Sequence, residues 1–319
     1  MEPGEGKSLL SDIAFDGDVT LVVGPEAVRL RVYSQCLRAA SKVFNTMLGP
    51  HWSEGKGLTS QSPREIPLEE DDASALRTIL CVLHHSNTEM PDSATLTPTE
   101  ILNIAVASDK YDLAVALKYA SAQWLKPRDG LGLMDMGRLM TADFLLEDTH
   151  MFAAQTVELM LHWNGSYLDL LDDDTIAQFL PFKAIYLLEQ RRTQLRADVG
   201  ELIATHAPRW TACPNGSKGC AWLERRNGSY LYEKIEPICR PAKLSRTKVA
   251  DIIKSLQGAT FEDNLRAKIR CNVPAYPLLD HEPLTHDQTV AGQLKAIRER
   301  AAICLDCARG TTPCKSKHG

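Results

Sequence analysis

A chain of 319 residues with 44% hydrophobic and 24% charged residues has room for two or three packed units, and its composition excludes a fibre or a bulk-disordered polymer. No uncharged apolar run approaches the ~20 residues needed to span a bilayer, so no membrane partner is expected. Charge is divided: up to Ala207 there are 17 Lys+Arg against 30 Asp+Glu, and from Pro208 onward 19 against 11, which leaves only the tail basic enough to touch nucleic acid, a role not expected of it.

The opening MEPGEGKSLLSD carries acids and glycines where a secretory signal needs a basic start and an apolar stretch. The expectation is a cytoplasmic and/or nuclear protein whose nine cysteines stay mostly reduced. Leu9, Leu10 and Ile13 precede the first predicted strand without an evident core role. Val19 to Val23, a Gly24-Pro25 turn signal and Val28 to Val32 with apolar/basic alternation predict a β-hairpin. LRAASKVFNTML follows as a helical stretch with Val43, Phe44, Met47 and Leu48 on one side, ended by Gly49-Pro50.

The loop from Glu54 to Pro63, rich in Gly and Ser, reads as mobile, and Arg64 to Leu68, bounded by prolines, reads as an edge strand. Leu76, Ile79, Leu80 and Leu83 then keep helical spacing behind the carboxylates of Asp71 and Asp72. Thr97-Pro98-Thr99-Glu100 is a capping box with proline at the first helical position, and Asp112 is placed to cap the next helix, which ends at Pro127.

This order of elements, with the segment RLRVYSQCLRAASKVFNTMLGPHWSEG, resembles the BTB/POZ domain. Leu37, Ser41, Phe44 and Glu54 stand at its signature leucine, serine, phenylalanine and glutamate, while Tyr33 replaces its usual histidine. EIPLEEDDASALRTILCVLHHS resembles the fungal BTB proteins that carry a helical extension. The expected fold class is therefore an α/β (α+β) BTB/POZ domain over 15–127, a mostly α-helical extension over 131–207, and a basic, cysteine-rich module over 208–319. Leu21, Val23, Leu30, Val32, Phe44, Leu48, Leu76, Leu80, Ile104 and Leu117 are the expected core of the first part.

In the extension, a long helix beginning at Pro181-Phe182 carries Ile185, Leu188, Leu195, Val199 and Leu202 at near-heptad positions, with Arg192 interrupting the series. Packing within its own chain is preferred over a coiled-coil dimer seam. The tail holds seven of the nine cysteines. Cys213-x6-Cys220 and Cys304-x2-Cys307 are its paired spacings, and together they suggest one structural zinc ion, with Cys239, Cys271, His281 and His286 as reserve ligands. Ordinary packing of small thiols is the competing explanation, and it is the one expected for Cys36 and Cys81. The fungal group's similar C-L-D-C ending favours zinc.

Enzyme signatures fail one by one. His281-Glu282-Pro283-Leu284-Thr285-His286 is one residue too long for a zincin helix and is broken by proline, and no phosphate loop or nucleophile elbow occurs. Asp172-Asp173-Asp174 reads as charge at a helix start. A non-enzymatic interaction module is expected.

The resemblance implies homodimerisation through the first helix and terminal strands, and in many members a surface for a cullin-type ubiquitin-ligase scaffold. That surface uses an apolar-x-Glu turn, matched by Trp52-Ser53-Glu54. The expected function is an assembly module, either a homodimeric scaffold or a ubiquitin-ligase substrate adaptor with an unknown substrate protein; a nuclear regulator acting through the basic tail is the alternative, and a zinc enzyme the second alternative.

Overall fold

The computed structural model of the chain describes residues 10–86, 95–128, 130–211, 246–258, 269–270, 280–281 and 286–311. They divide into two compact units, the first running to Gln155 with Leu170–Leu180 added, the second made of Thr156–Asp169 and the chain from Pro181.

The first unit begins with strands β1 (Leu10–Asp12), β2 (Val19–Val23) and β3 (Val28–Val32) and is joined later by β4 (Arg64–Leu68). Their order in the sheet is β1-β3-β2-β4. The hairpin pairs Val19 with Val32, Leu21 with Leu30 and Val23 with Val28, which puts six apolar residues on one face, all fully buried except the half-buried Val28. Gly24 has φ +70° and Ala27 φ +51°, the left-handed geometry a tight connection requires. Strand β4 lies at the edge, parallel to β2, where Pro67 costs no ladder bond.

Strand β1 is an addition to the sequence reading. It pairs in parallel with β3, Leu10 opposite Arg29, and Ile13 is buried just behind it. Ile13 therefore has an intrachain role, Leu10 pairs through its backbone, and Leu9 lies outside the described residues. A three-residue strand with a distant parallel partner carries too little periodicity to be read locally.

After β3 the chain forms α1 (Ser34–Ala40) and α2 (Lys42–Met47). The two are separated at Ser41, whose extended backbone (φ −138°, ψ 130°) starts the second helix. Phe44 and Leu48 turn inward as expected, whereas Val43 is exposed. Tyr33, at the N-cap of α1, gives no side-chain cap; Asp18 supplies it from the start of β2, accepting the Ser34 N–H at 2.7 Å and hydroxyl at 2.6 Å.

Helix α3 (Ala73–Leu83) is capped by Asp72. Helix α4 (Pro98–Lys110) has the complete Thr97/Glu100 capping box. Helix α5 (Ala114–Trp124) starts from Leu113 without a side-chain cap. Asp112 does not fill that role, because its left-handed backbone (φ +51°) turns the carboxylate toward Lys42 at 3.6 Å.

All ten expected core residues are 1% exposed or less. Helix α6 (Leu133–Leu145) packs along α4. The short α8 (Asp174–Phe179) begins at Asp173, which accepts the Thr175 and Ile176 N–H groups and pairs with Arg138 at 2.9 Å. The acidic run is thus a helix start, as its position suggested.

The second unit is built on α9 (Phe182–Thr211), against which α11 (His286–Ala301) and α12 (Leu305–Arg309) pack. Helix α7 (Thr149–His162) leads into it, and α10 (Val249–Gly258) and a small β5–β6 pair (Ile269–Arg270, Asp280–His281) belong to it. Ile185, Leu188, Leu195 and Val199 are 1% exposed or less and Leu202 7%, so the heptad-like series is buried inside one chain. Arg192 fits this interior by lying 4.5 Å over the Tyr167 ring and pairing with Glu189.

Candidate partner-binding site

Helix α2 ends where the Leu48 N–H returns to the Phe44 carbonyl at 2.9 Å. The chain then folds back through Gly49 and Trp52, whose N–H reaches the Gly49 carbonyl at 3.2 Å, into a 3₁₀ turn over Ser53–Gly55. Gly55 fixes the site's position. A Cβ there would stand 2.1 Å from the Gly49 carbonyl oxygen and 2.5 Å from that of Leu48, so only glycine lets the turn press against the end of α2.

This turn carries Trp52, 56% exposed, and Glu54. Glu54 is half-buried; its own backbone N–H, then the Ser53 hydroxyl, hold its carboxyl below the usual glutamate range, and the Ser53 hydroxyl donates to it at 2.8 Å. It is a carboxylate at neutral pH. An exposed indole beside an ionised carboxylate suits a partner that offers an apolar pocket and a donor. The segment expected to be mobile is folded: Ser53–Gly55 is helical, and Thr59 and Ser62 form a bridge.

The signature residues behind the turn have physical roles. Ser41 accepts the Phe44 N–H at 3.0 Å and donates its hydroxyl to the Tyr111 carbonyl. Phe44 is fully buried. Tyr111 donates its hydroxyl to the buried Asp71 at 2.7 Å, and Lys110 reaches the same carboxylate at 2.9 Å. Burial, then the Asp71 hydrogen bond, raise the Tyr111 phenol far above its ordinary range, keeping it a donor. Leu37 is likewise buried.

A second exposed area, not singled out by the sequence, surrounds the start of α1. Phe15 is 84% and Tyr33 38% exposed, and the Tyr33 hydroxyl donates to Asp16, next to Phe15. On the other side Tyr33 stacks on His84, ring centroids 5.9 Å apart. The Tyr33 N–H donates to His84 Nε2 at 3.0 Å, so Nδ1 carries the proton given to the Leu80 carbonyl at 2.8 Å. Burial lowers the His84 pKa. The one available signal was tyrosine at the histidine position of the signature.

Of the predicted metal ligands, Cys304 and Cys307 sit at the N-cap and third position of α12, both half-buried. Cys213, Cys220, Cys239 and Cys271 lie outside the described residues, as do the side chains of His281 and His286. Among the described residues no group of three or more His, Cys, Asp or Glu is placed to hold a metal ion. Cys81 is a buried packing residue, while Cys36, expected to be one, is half-exposed. Among those residues, too, no helix is long and apolar enough to cross a membrane.

Comparison with curated proteins gives no match. Residues 12–120 match the family model for the BTB/POZ domain, and this segment, with its small mixed sheet, Ser-x-x-Phe helix and following helices, is a BTB/POZ domain, a protein–protein interaction module.

Proposed function

We propose that the chain is a homodimeric assembly protein that presents Trp52 and Glu54 to a cullin-type ubiquitin-ligase scaffold, while its carboxy-terminal part selects a substrate protein. The observation that carries this reading is the turn itself. An exposed tryptophan and an ionised glutamate stand on a segment that Gly55 locks against α2, so a partner loses little entropy in ordering them. Dimerisation is supported by the exposed Phe15 and Tyr33, joined through Asp16 beside β1 and α1. A binding protein without catalysis, resident in the cytoplasm, the nucleus or both, is the role this implies.

A nuclear regulator acting through the basic tail has less support. In α11, Arg298 and Arg300 lie 3.5 Å from Glu158 and 3.7 Å from Asp198 of their own unit, so these cations are already partly neutralised. A zinc enzyme would need an open coordination position. Light scattering on the full chain at high micromolar concentration tests the dimer, and co-elution with a cullin amino-terminal domain tests the adaptor role. A monomer would remove the first, and separate elution the second. A salt-dependent DNA shift without cullin binding would favour the regulator.

A further inference from the structure

We infer that Ser62 is a phosphoacceptor for a proline-directed protein kinase and that Arg31 and Arg64 hold the phosphate it receives, a property separate from the assembly reading. Ser62-Pro63 lies on the loop that leads from the Ser53–Gly55 turn into β4. Thr59, Ser60, Gln61 and Ser62 are all exposed. Gly57, with φ +69°, has nothing within 4 Å of the place a Cβ would take, so the chain around it is not pressed against neighbouring structure. Arg31 donates to the Ser60 carbonyl at 2.8 Å, and the Ser62 N–H returns to the Thr59 carbonyl at 3.3 Å and hydroxyl at 3.2 Å. Such exposed bonds open at low cost, as a kinase cleft requires of its substrate segment.

Position selects Ser62 from its neighbours. Pro63, directly after it, lacks an N–H and has a fixed φ, the feature a proline-directed kinase reads. The turn does not explain the serine, because Thr59 supplies the hydroxyl that accepts the turn N–H, and the Ser62 hydroxyl engages no described residue. Thr97-Pro98 is the other hydroxyl-proline pair among the described residues. Its hydroxyl is engaged with Glu100 in the capping box, which makes it an internal contrast.

The step moves the γ-phosphoryl group of a nucleoside triphosphate to Ser62 Oγ. The Oγ–P bond forms as the bond from the γ-phosphorus to its bridging oxygen breaks, the nucleoside diphosphate leaves, and the hydroxyl proton passes to the kinase's catalytic carboxylate. Cations stand ready on both sides of the new phosphate. Arg31 already reaches the loop at Ser60 and is steadied by the Gly17 carbonyl at 3.0 Å; Arg64, exposed, follows Ser62 by two residues. Arg29, by contrast, is paired with Glu65. Guanidinium forks match phosphate oxygens, so the modified loop is tied to β3 and β4.

The test uses the full chain with a proline-directed kinase and magnesium ATP. Mass-mapped phosphate should appear on Ser62 and not on Thr97, and Ser62→Ala should remove it. Phosphorus NMR titration of the modified chain should give a phosphate pKa below the ~6 of free phosphoserine. The exposed Arg64→Gln should raise it part of the way, and Arg31→Gln added to it should restore the free value. Hydrogen exchange over 56–63 should slow on phosphorylation. No phosphate on Ser62, transfer to Thr97 in its place, or a phosphate that titrates at the free value in the unsubstituted chain would each overturn the assignment.

Discussion

Phe44 lies flat on Tyr111, with ring centroids 4.4 Å apart and planes 7° apart. The same tyrosine is tied to Ser41 through its backbone carbonyl and to Asp71 through its hydroxyl, so the α1–α2 corner, the end of α4 and the start of α3 meet on one residue. Phe44→Ala should destabilise the BTB/POZ domain by about 3–5 kcal/mol, and Ser41→Ala by about 1–2 kcal/mol through loss of the cap and its hydroxyl bond. Urea unfolding checks both values.

The first helix should respond to acid through His84. Its folded pKa is lowered by burial, so the unfolded chain binds the proton more readily and stability rises with pH. The contribution is present above the unfolded histidine pKa of ~6.5 and is lost as pH falls through the lower folded value. Protonation removes the acceptor of the Tyr33 N–H. The stability advantage of wild type over His84→Gln should therefore shrink between neutral and mildly acidic pH; an advantage independent of pH would contradict this.

Asp143 predicts the opposite slope. It is fully buried on α6, neither carboxyl oxygen has a hydrogen-bond partner among the described residues, and burial, then Asp148, push its pKa well above the aspartate range. The folded state keeps this proton more tightly than the unfolded one. The stability it contributes is present below the unfolded aspartate pKa of ~3.9 and is lost as pH rises through the folded value. Asp143→Asn should gain stability over wild type as pH is raised from acid to neutral, measured by unfolding at each pH.

In the second unit Arg192 is a structural cation. Its side chain is 12% exposed, it covers the Tyr167 ring, and its partner Glu189 also accepts the Tyr167 N–H at 2.9 Å. Arg192→Ala should cost about 1–3 kcal/mol. Arg192→Lys should recover little, because an ammonium lacks the planar fork. Full recovery by lysine in thermal unfolding would reduce Arg192 to a simple point charge.

What could be read from the sequence was local. The hairpin alternation, the Thr97/Glu100 box, the spacing of Leu76 and Leu80 and the edge position of Pro67 each lie within one element, and each stands where it was expected. What escaped was set by distant partners. Strand β1 depends on β3, the Asp112 backbone frees its carboxylate for Lys42 instead of a cap, and Arg192 looked like a flaw in a heptad until Tyr167 supplied its platform. At the candidate site the residue types of Trp52 and Glu54 were legible. The steric lock of Gly55 against the Gly49 carbonyl was not, since it depends on how the backbone folds back.

The most direct test of the assembly account is a calorimetric titration of the full chain with a cullin amino-terminal domain, using wild type and the variant Trp52→Ala, Glu54→Lys. Trp52 is exposed and Glu54 half-buried, and neither belongs to the core, so circular dichroism and the unfolding midpoint should be unchanged. The account predicts saturable binding by wild type and affinity lower by on the order of a hundredfold in the variant, because a contact is lost and a repulsive charge added. Absence of binding by wild type, or equal affinity in a folded variant, would contradict it.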